Sequence, residues 1–239
     1  MPDRTTAVLL DLDGTITDSA PGVIDSFVTA VRGLGLQPPP PDELRAVVGP
    51  PLAWTLEHIG GVDPADVDRG QDLYRAHYGG GSMFNSAVFD GMRQLLVALR
   101  EAGVPVSLAT SKSEEFARAI LDHFELTGYF TAICGADDRG RNSDKAYVIG
   151  KALTQLHAAG ADLSAPVMVG DREHDLEGAR AHGMPCVLVA WGYGTEAEHA
   201  DADALASDPA HLAGLLGLPA PVTNRSVAEP VARSAGVGR

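Results

Sequence analysis

The chain has 239 residues, of which 45% are hydrophobic and 27 are glycine, and it carries a formal net charge of −14 at pH 7. That length and apolar content suffice for one sizeable core, or for one core carrying a smaller insertion. The acidic excess argues against nucleic-acid polymers and anionic membranes as partners, because both demand a basic surface, but it leaves room for a small phosphorylated molecule held by a few local cations.

The opening MPDRTT lacks the apolar centre of a signal peptide, and no apolar run reaches membrane-spanning length. Cys134 and Cys186 sit in apolar, strand-like runs and read as small buried hydrophobes, not as a disulfide framework or a zinc site. A cytoplasmic protein, monomer or dimer, is the expectation.

Ala7-Val8-Leu9-Leu10 is a short uninterrupted apolar run, as expected of a strand buried on both faces of a parallel sheet. Asp11-Leu12-Asp13-Gly14-Thr15 follows it. Residues i and i+2 of an extended segment share a face, so Asp11 and Asp13 point together into the crevice beyond the strand, where open α/β sheets bind ligands. Taken alone, Asp-x-Asp-Gly could be a turn or part of a calcium loop, but no closing glutamate follows and helix-like sequence does.

Thr17-Asp18-Ser19-Ala20-Pro21 is a helix start, with apolar residues at helical spacing up to Gly35. Pro38 to Pro41 forms a stiff linker. Helical stretches are then expected over Asp42 to Val48, Leu52 to Ile59 and Pro64 to Tyr78, the first two separated by Gly49-Pro50-Pro51. A βαβ crossover needs only one helix, so this block, residues 18–86, reads as an inserted helical cap with hinges near Thr17 and near Asn85-Ser86.

From Phe89 helices and strands alternate. Strands are expected at Val104 to Ala109, Phe130 to Cys134, Pro166 to Val169 and Pro185 to Ala190, the last clear one, with helices at Met92 to Ala102, Ser113 to Phe124, Ser143 to His157 and Glu173 to His182. This predicts an α/β, doubly wound parallel-sheet (Rossmann-like) core formed by residues 1–17 and 87–218. Residues 219–239, rich in Pro, Ala, Ser and Gly, read as a disordered tail.

Parallel strands end at one edge of the sheet, so Asp11 and Asp13, Thr110, Lys145, and Asp171 with Asp175 converge on one crevice. Each has an ordinary structural explanation by itself, as a cap, a turn or a surface lysine. Together they form a chemistry. A phosphate monoester dianion is repelled by a carboxylate nucleophile, and a divalent cation on Asp11, Asp13 and Asp171 offsets that repulsion; oxygen ligands with room for water suit Mg²⁺. Thr110, backbone amides and Lys145 would hold the remaining phosphoryl oxygens.

Asp11-Leu12-Asp13-Gly14-Thr15, Thr110, Lys145 and Gly170-Asp171-x-x-x-Asp175, in that order, resemble the four-motif signature of the haloacid dehalogenase-like (HAD) hydrolases over about residues 5 to 218. Asp18-Ser19, Gly49-Pro50-Pro51-Leu52, Asp144-Lys145-Ala146 and Trp191-Gly192-Tyr193-Gly194 look most like its phosphoglycolate phosphatase-like branch. The resemblance implies a HAD core with the cap inserted between motifs one and two, and a Mg²⁺-dependent phosphatase acting on a small phosphate monoester. Asp11 would be the nucleophile that becomes an aspartyl phosphate, Asp13 the acid/base whose backbone carbonyl ligates the metal, and Thr110 and Lys145 the phosphate binders. Asp171 would complete the metal site, and Asp175 would orient its neighbours.

Ser111 stands where many phosphoglycolate phosphatases have Asn, and Ala146 follows Lys145 where they have Pro, which leaves the chemistry but not the substrate fixed. A 5'-nucleotidase, a sugar phosphatase or phosphomutase, and a catalytically idle binding protein of the same fold are the alternatives. A dehalogenase would lack Asp13, and a phosphonate hydrolase would use a cap lysine, which residues 18–87 do not contain. Ser111 and Arg45 are the substrate-binding candidates. Arg45, one turn before Gly49-Pro50-Pro51, is placed to offer a bidentate contact to a second anionic group, unless it pairs with Asp42 on the cap surface. Trp191 and Tyr193 either line the floor of the site or pack there.

Overall fold

A computed structural model describes residues 4–137 and 142–218; the tail expected at 219–239 lies outside them. Its centre is a sheet of six parallel strands in the order β5-β4-β1-β6-β7-β8: Ala132–Ala136, Val106–Ser113, Ala7–Leu10, Pro166–Gly170, Cys186–Val189 and Ala204–Ala206. β1 is central, Val8 pairing with Val106 on one side and Val167 on the other. Its alternation divides the core. Val8 and Leu10 join one apolar cluster, and Ala7 and Leu9 the other.

Helices α4 (Met92–Glu101) and α9 (Pro209–Leu215) pack on each other, while α6 (Lys145–Ala158) and α7 (Glu173–Ala181) pack together and against the sheet; α5 (Glu114–His123) lies on β4 and β5. A short α8 (Glu196–Ala200) leads to β8. The expected doubly wound α/β class is the observed one. β8 lies beyond the expected last strand; its three residues are apolar but too few to show a period, and only Ala206 is buried.

The block between β2 (Thr17–Asp18) and β3 (Ala87–Val88) contains α1 (Ala20–Gly33), α2 (Leu52–His58) and α3 (Val67–Gly79), with 3₁₀ turns at Leu44–Val47, Pro64–Asp66 and Ser82–Phe84. β2 and β3 pair antiparallel, so a two-residue ribbon joins the two chain crossings into this block. Such short strands leave no periodic signal in the sequence.

Residues 42–48, expected as a helix, form only the 3₁₀ turn Leu44–Val47. The segment lies between Pro38–Pro41 and Gly49-Pro50-Pro51, and too few residues remain between these breakers to repay helix nucleation. β4 differs the other way: it runs on to Ser113, with its register against β5 shifting between Ala109 and Ser113. That irregularity falls on Thr110-Ser111-Lys112, and a bulge there re-aims side chains next to the crevice. β5 begins two residues later than expected, because Phe130 ends a 3₁₀ turn over Thr127–Tyr129.

Candidate active site

Asp11 leaves the carboxyl end of β1 and is almost fully buried. Its Oδ1 lies 3.0 Å from Nζ of Lys145, the first residue of α6. That ammonium is 2.7 Å from Oδ1 of Asp175 and donates to the Ala109 carbonyl at 3.1 Å, immediately before Thr110. Burial works against the Lys145 charge, yet Asp11 and Asp175 hold its pKa above the ordinary lysine value. The Asp11 carboxyl is pushed up to about 6, first by burial and then by Asp175 and Asp13, against the pull of Lys145.

Asp171, beyond the end of β6, is completely buried. Its Oδ2 accepts the Tyr193 amide at 2.7 Å, and its Oδ1 has no hydrogen-bond partner. Burial, then Asp175 and Asp11, hold its pKa well above the usual carboxylate range. Asp175 sits in the first turn of α7, where its Oδ2 accepts the amides of Asp171 and Arg172, both at 3.1 Å. It therefore fixes the backbone that carries Asp171.

Oxygens of Asp11, Asp171 and Asp175 lie within 4.8 Å of one another. An orphaned buried carboxylate oxygen on Asp171, beside two acids that share one ammonium, forms a donor set that a hard divalent cation satisfies. The Asp13 carboxylate, expected beside them, is not part of this cluster, and its Oδ2 lies 3.0 Å from Nζ of Lys112. The ligand that the resemblance implies from this residue is its backbone carbonyl.

Gly14 has φ +80°, a conformation that side chains rarely adopt, and a Cβ there would collide with the Asp171 carboxylate. Gly14→Ala is accordingly expected to lower the melting temperature by several degrees and to weaken Mg²⁺ binding at least tenfold by calorimetry. Unchanged Mg²⁺ affinity would show that Asp171 is not the displaced ligand.

Thr110 is buried, and its hydroxyl accepts the Lys112 amide at 3.3 Å. Ser111, with Asp13 and Lys112, lines a cavity between the sheet edge and the helical block. Arg45 does not. Its guanidinium lies 5.6 Å from the centre of the Tyr193 ring, because the segment holding it is a 3₁₀ turn and not the expected helix. Arg75 of α3 lines the cavity instead.

Tyr193 has a larger part than its sequence context suggests. Its hydroxyl donates to Oδ1 of Asp18 at 2.8 Å and accepts the amides of Ser19 and Ala20, at 2.8 and 3.0 Å. It thus occupies the N-terminal amides of α1, where the Ser19 side chain makes no cap. Trp191 donates its indole N–H to the Thr15 carbonyl at 3.1 Å, so both aromatic residues tie the loop after β7 to the Asp11–Thr15 segment and to β2.

Lys112 escaped the sequence reading. Besides Asp13 it reaches the Tyr78 hydroxyl of α3 at 2.7 Å. Burial opposes its charge, while Asp13 and then Tyr74 raise its pKa above the ordinary lysine value. A signal was available, because lysines are scarce in this chain and Lys112 repeats, two residues after Thr110, the i, i+2 spacing of Asp11 and Asp13.

Comparison with known proteins finds several relatives of similar extent. The tyrosine-protein kinase PtkA of Mycobacterium tuberculosis is 43% identical over 187 residues, 78% of this chain and 62% of the kinase, so the chain spans less than two thirds of that relative. A 5'-nucleotidase of Pseudomonas aeruginosa is 36% identical over 191 residues, covering 80% of this chain and 85% of the enzyme. A phosphoglycolate phosphatase of Pseudomonas syringae pv. tomato is 31% identical over 194 residues, covering 78% and 70%. Among solved structures, a predicted phosphatase from Clostridium acetobutylicum superposes with a TM-score of 0.82 at 33% identity, over 90% of this chain and all of that one. The haloacid dehalogenase-like hydrolase family matches residues 8–189, a span that takes in every acid and lysine placed above, and the chain belongs to that family.

Proposed function

We propose that the protein is a Mg²⁺-dependent phosphatase that hydrolyses a small phosphate monoester through an aspartyl phosphate on Asp11. The observation that carries this reading is the position of Asp11: a carboxylate at the end of the central strand, 3.0 Å from a buried ammonium that a second acid anchors at 2.7 Å. Relatives named phosphoglycolate phosphatase and 5'-nucleotidase support the reaction class. Among the described residues no helix is long and apolar enough to cross a membrane.

A carboxylate oxygen of Asp11 forms a bond to phosphorus as the bond from phosphorus to the leaving-group oxygen breaks, and Asp13 gives that oxygen a proton. Lys112 occupies Oδ2 of Asp13 and Oδ1 has no partner, so Oδ1 is the oxygen that carries the proton. Asp13 then takes a proton from water, whose oxygen displaces Asp11 from phosphorus. Lys145 and Thr110 hold the phosphoryl oxygens and keep them from repelling Asp11. Asp11, Asp171 and the Asp13 carbonyl would hold Mg²⁺, which would supply positive charge against the phosphoryl group when bound.

The test is phosphate release across a panel of phosphorylated acids, sugars and nucleotides with Mg²⁺ or with excess chelator; full activity in chelator removes the metal from the reading. A second reading has the 43% identity with PtkA behind it: a tyrosine hydroxyl, instead of water, receives the phosphoryl group. Labelled ATP and a tyrosine peptide separate the two, since transfer labels the peptide and hydrolysis yields labelled phosphate alone.

Proton linkage gives a further check. The Asp11 carboxyl stands near 6 in the fold against an ordinary 3.8, so without metal the folded chain holds more proton than the unfolded chain between those values. Its stability then falls as pH rises through 6. A cation bound to ionised Asp11 reverses that loss, so the rise in melting temperature on adding Mg²⁺ is expected to be about 5 °C larger at pH 7.5 than at pH 5. A rise independent of pH would take Asp11 out of the ligand set.

A further inference from the structure

Three residues on one stripe of α3 are unusual for a packed helix. Gln71, Tyr74 and Tyr78 follow the i, i+3, i+7 spacing that normally marks an apolar seam, and all three are buried. They face the cavity that Asp13, Lys112 and Phe116 line from the other side. Gln71 is nine-tenths buried and lines the cavity, and its side chain makes no hydrogen bond with the described residues. The Tyr74 hydroxyl has none either. An amide that opens on a cavity without a protein partner is left available to pair with a ligand there.

The walls beside Gln71 are flat. Tyr74 and Tyr78 stack with ring centres 5.3 Å apart and planes 21° from parallel, and Phe116 meets Tyr78 edge-on at 5.3 Å. Planar groups lodge against such surfaces by offset stacking or edge contact. The Gln71 carboxamide presents an acceptor and donors side by side in one plane, which a cyclic amide or carboxamide matches with its own donor and acceptor. A short hydroxy acid satisfies neither feature.

We propose that the leaving group of the substrate is a planar ring bearing an amide-type edge, and that Gln71 reads that edge from the cap while Asp13 serves the ester oxygen. The inference rests on the phosphatase reading above, and it makes Gln71 a specificity-determining residue. The chemistry of the phosphoryl group is untouched by it.

The experiment compares kcat/KM of the full chain with Mg²⁺ on three probes: uridine 5'-monophosphate, which has ring and amide edge, phenyl phosphate, which has the ring alone, and phosphoglycolate, which has neither. The wild-type chain is expected to favour the nucleotide over phosphoglycolate at least tenfold. In Gln71→Met, which keeps volume and removes the amide, the ratio of nucleotide to phenyl phosphate is expected to fall at least tenfold. The melting temperature is expected to be no lower, because the amide has no protein partner to lose. Preference for phosphoglycolate, or a Gln71→Met effect equal on all three probes, overturns the proposal. If no ester is hydrolysed the phosphatase reading fails by itself, and calorimetry with uridine decides the remainder. Binding weakened at least tenfold by Gln71→Met keeps the cavity assignment, and binding that is absent or unaffected ends it.

Discussion

Asp11→Asn is expected to lose at least about a thousandfold in turnover while melting within about 2 °C of the wild type, or above it, in the absence of metal. An amide fills the space of a carboxylate but does not attack phosphorus, so the chemical loss is large. The structural effect has the opposite tendency. Burial and the neighbouring Asp175 and Asp13 already press the Asp11 carboxyl up to about 6, so removing its charge relieves a crowded site, and Lys145 keeps Asp175 at 2.7 Å. Activity is measured by phosphate release after deamidation has been excluded by mass, and stability by thermal melting in chelator. Turnover within tenfold of wild type would falsify the nucleophile assignment, and a melting point many degrees lower would mean that Asp11 holds the fold together.

Lys145→Met is expected to fail on both counts. Its ammonium is the charge that Asp11 and Asp175 share, and its removal leaves two buried acids facing each other. Breaking a buried pair by deleting one partner typically costs about 3–5 kcal/mol, and that penalty is expected at pH 7.5 in urea denaturation without metal. Near pH 5 the cost shrinks. The acids can then take up protons, whose binding is favoured in the fold when no ammonium opposes it, so the variant loses stability as pH rises. Mg²⁺ is expected to recover part of the stability and little of the activity, because it offsets charge near Asp11 without restoring a donor to the phosphoryl oxygens. A cost below about 1 kcal/mol at pH 7.5 would show that the acids do not depend on this lysine.

The contrast between these variants explains which parts of the site the sequence could reveal. Asp11 and Asp13 are legible because a strand of four apolar residues delivers them, and Asp171 because it follows another such strand. Lys145 becomes legible once those strands are known to be parallel, since all their carboxyl ends then meet. Each inference needs only local periodicity and one topological rule.

The partners of Lys112, the place of Gln71 and the ties made by Tyr193 needed the folded chain. The sheet irregularity between Ala109 and Ser113 accompanies the turn of Lys112 toward Asp13, and the docking of α3 brings Tyr78 to it. Gln71 reads in sequence as an ordinary polar helix residue, and only its burial without a partner sets it apart. Arg45 shows the converse. Its expected contact with a second anionic group assumed a helix, and the prolines on either side reduced that segment to a single 3₁₀ turn. β2, β3 and β8 were missed for a simpler reason, being two or three residues long.

The central place of β1 has a consequence for how the chain is made. Its four residues are apolar on both faces, and both of its edges are completed by later segments, residues 106–108 on one side and 166–169 on the other. At synthesis rates of about 5–20 residues per second, the second edge waits roughly 8–30 s for its partner. Throughout that interval the nascent chain presents an unpaired apolar strand, the kind of edge on which chains aggregate or swap segments. The segment that will carry the nucleophile is therefore, on the ribosome, the part of the molecule most in need of shelter.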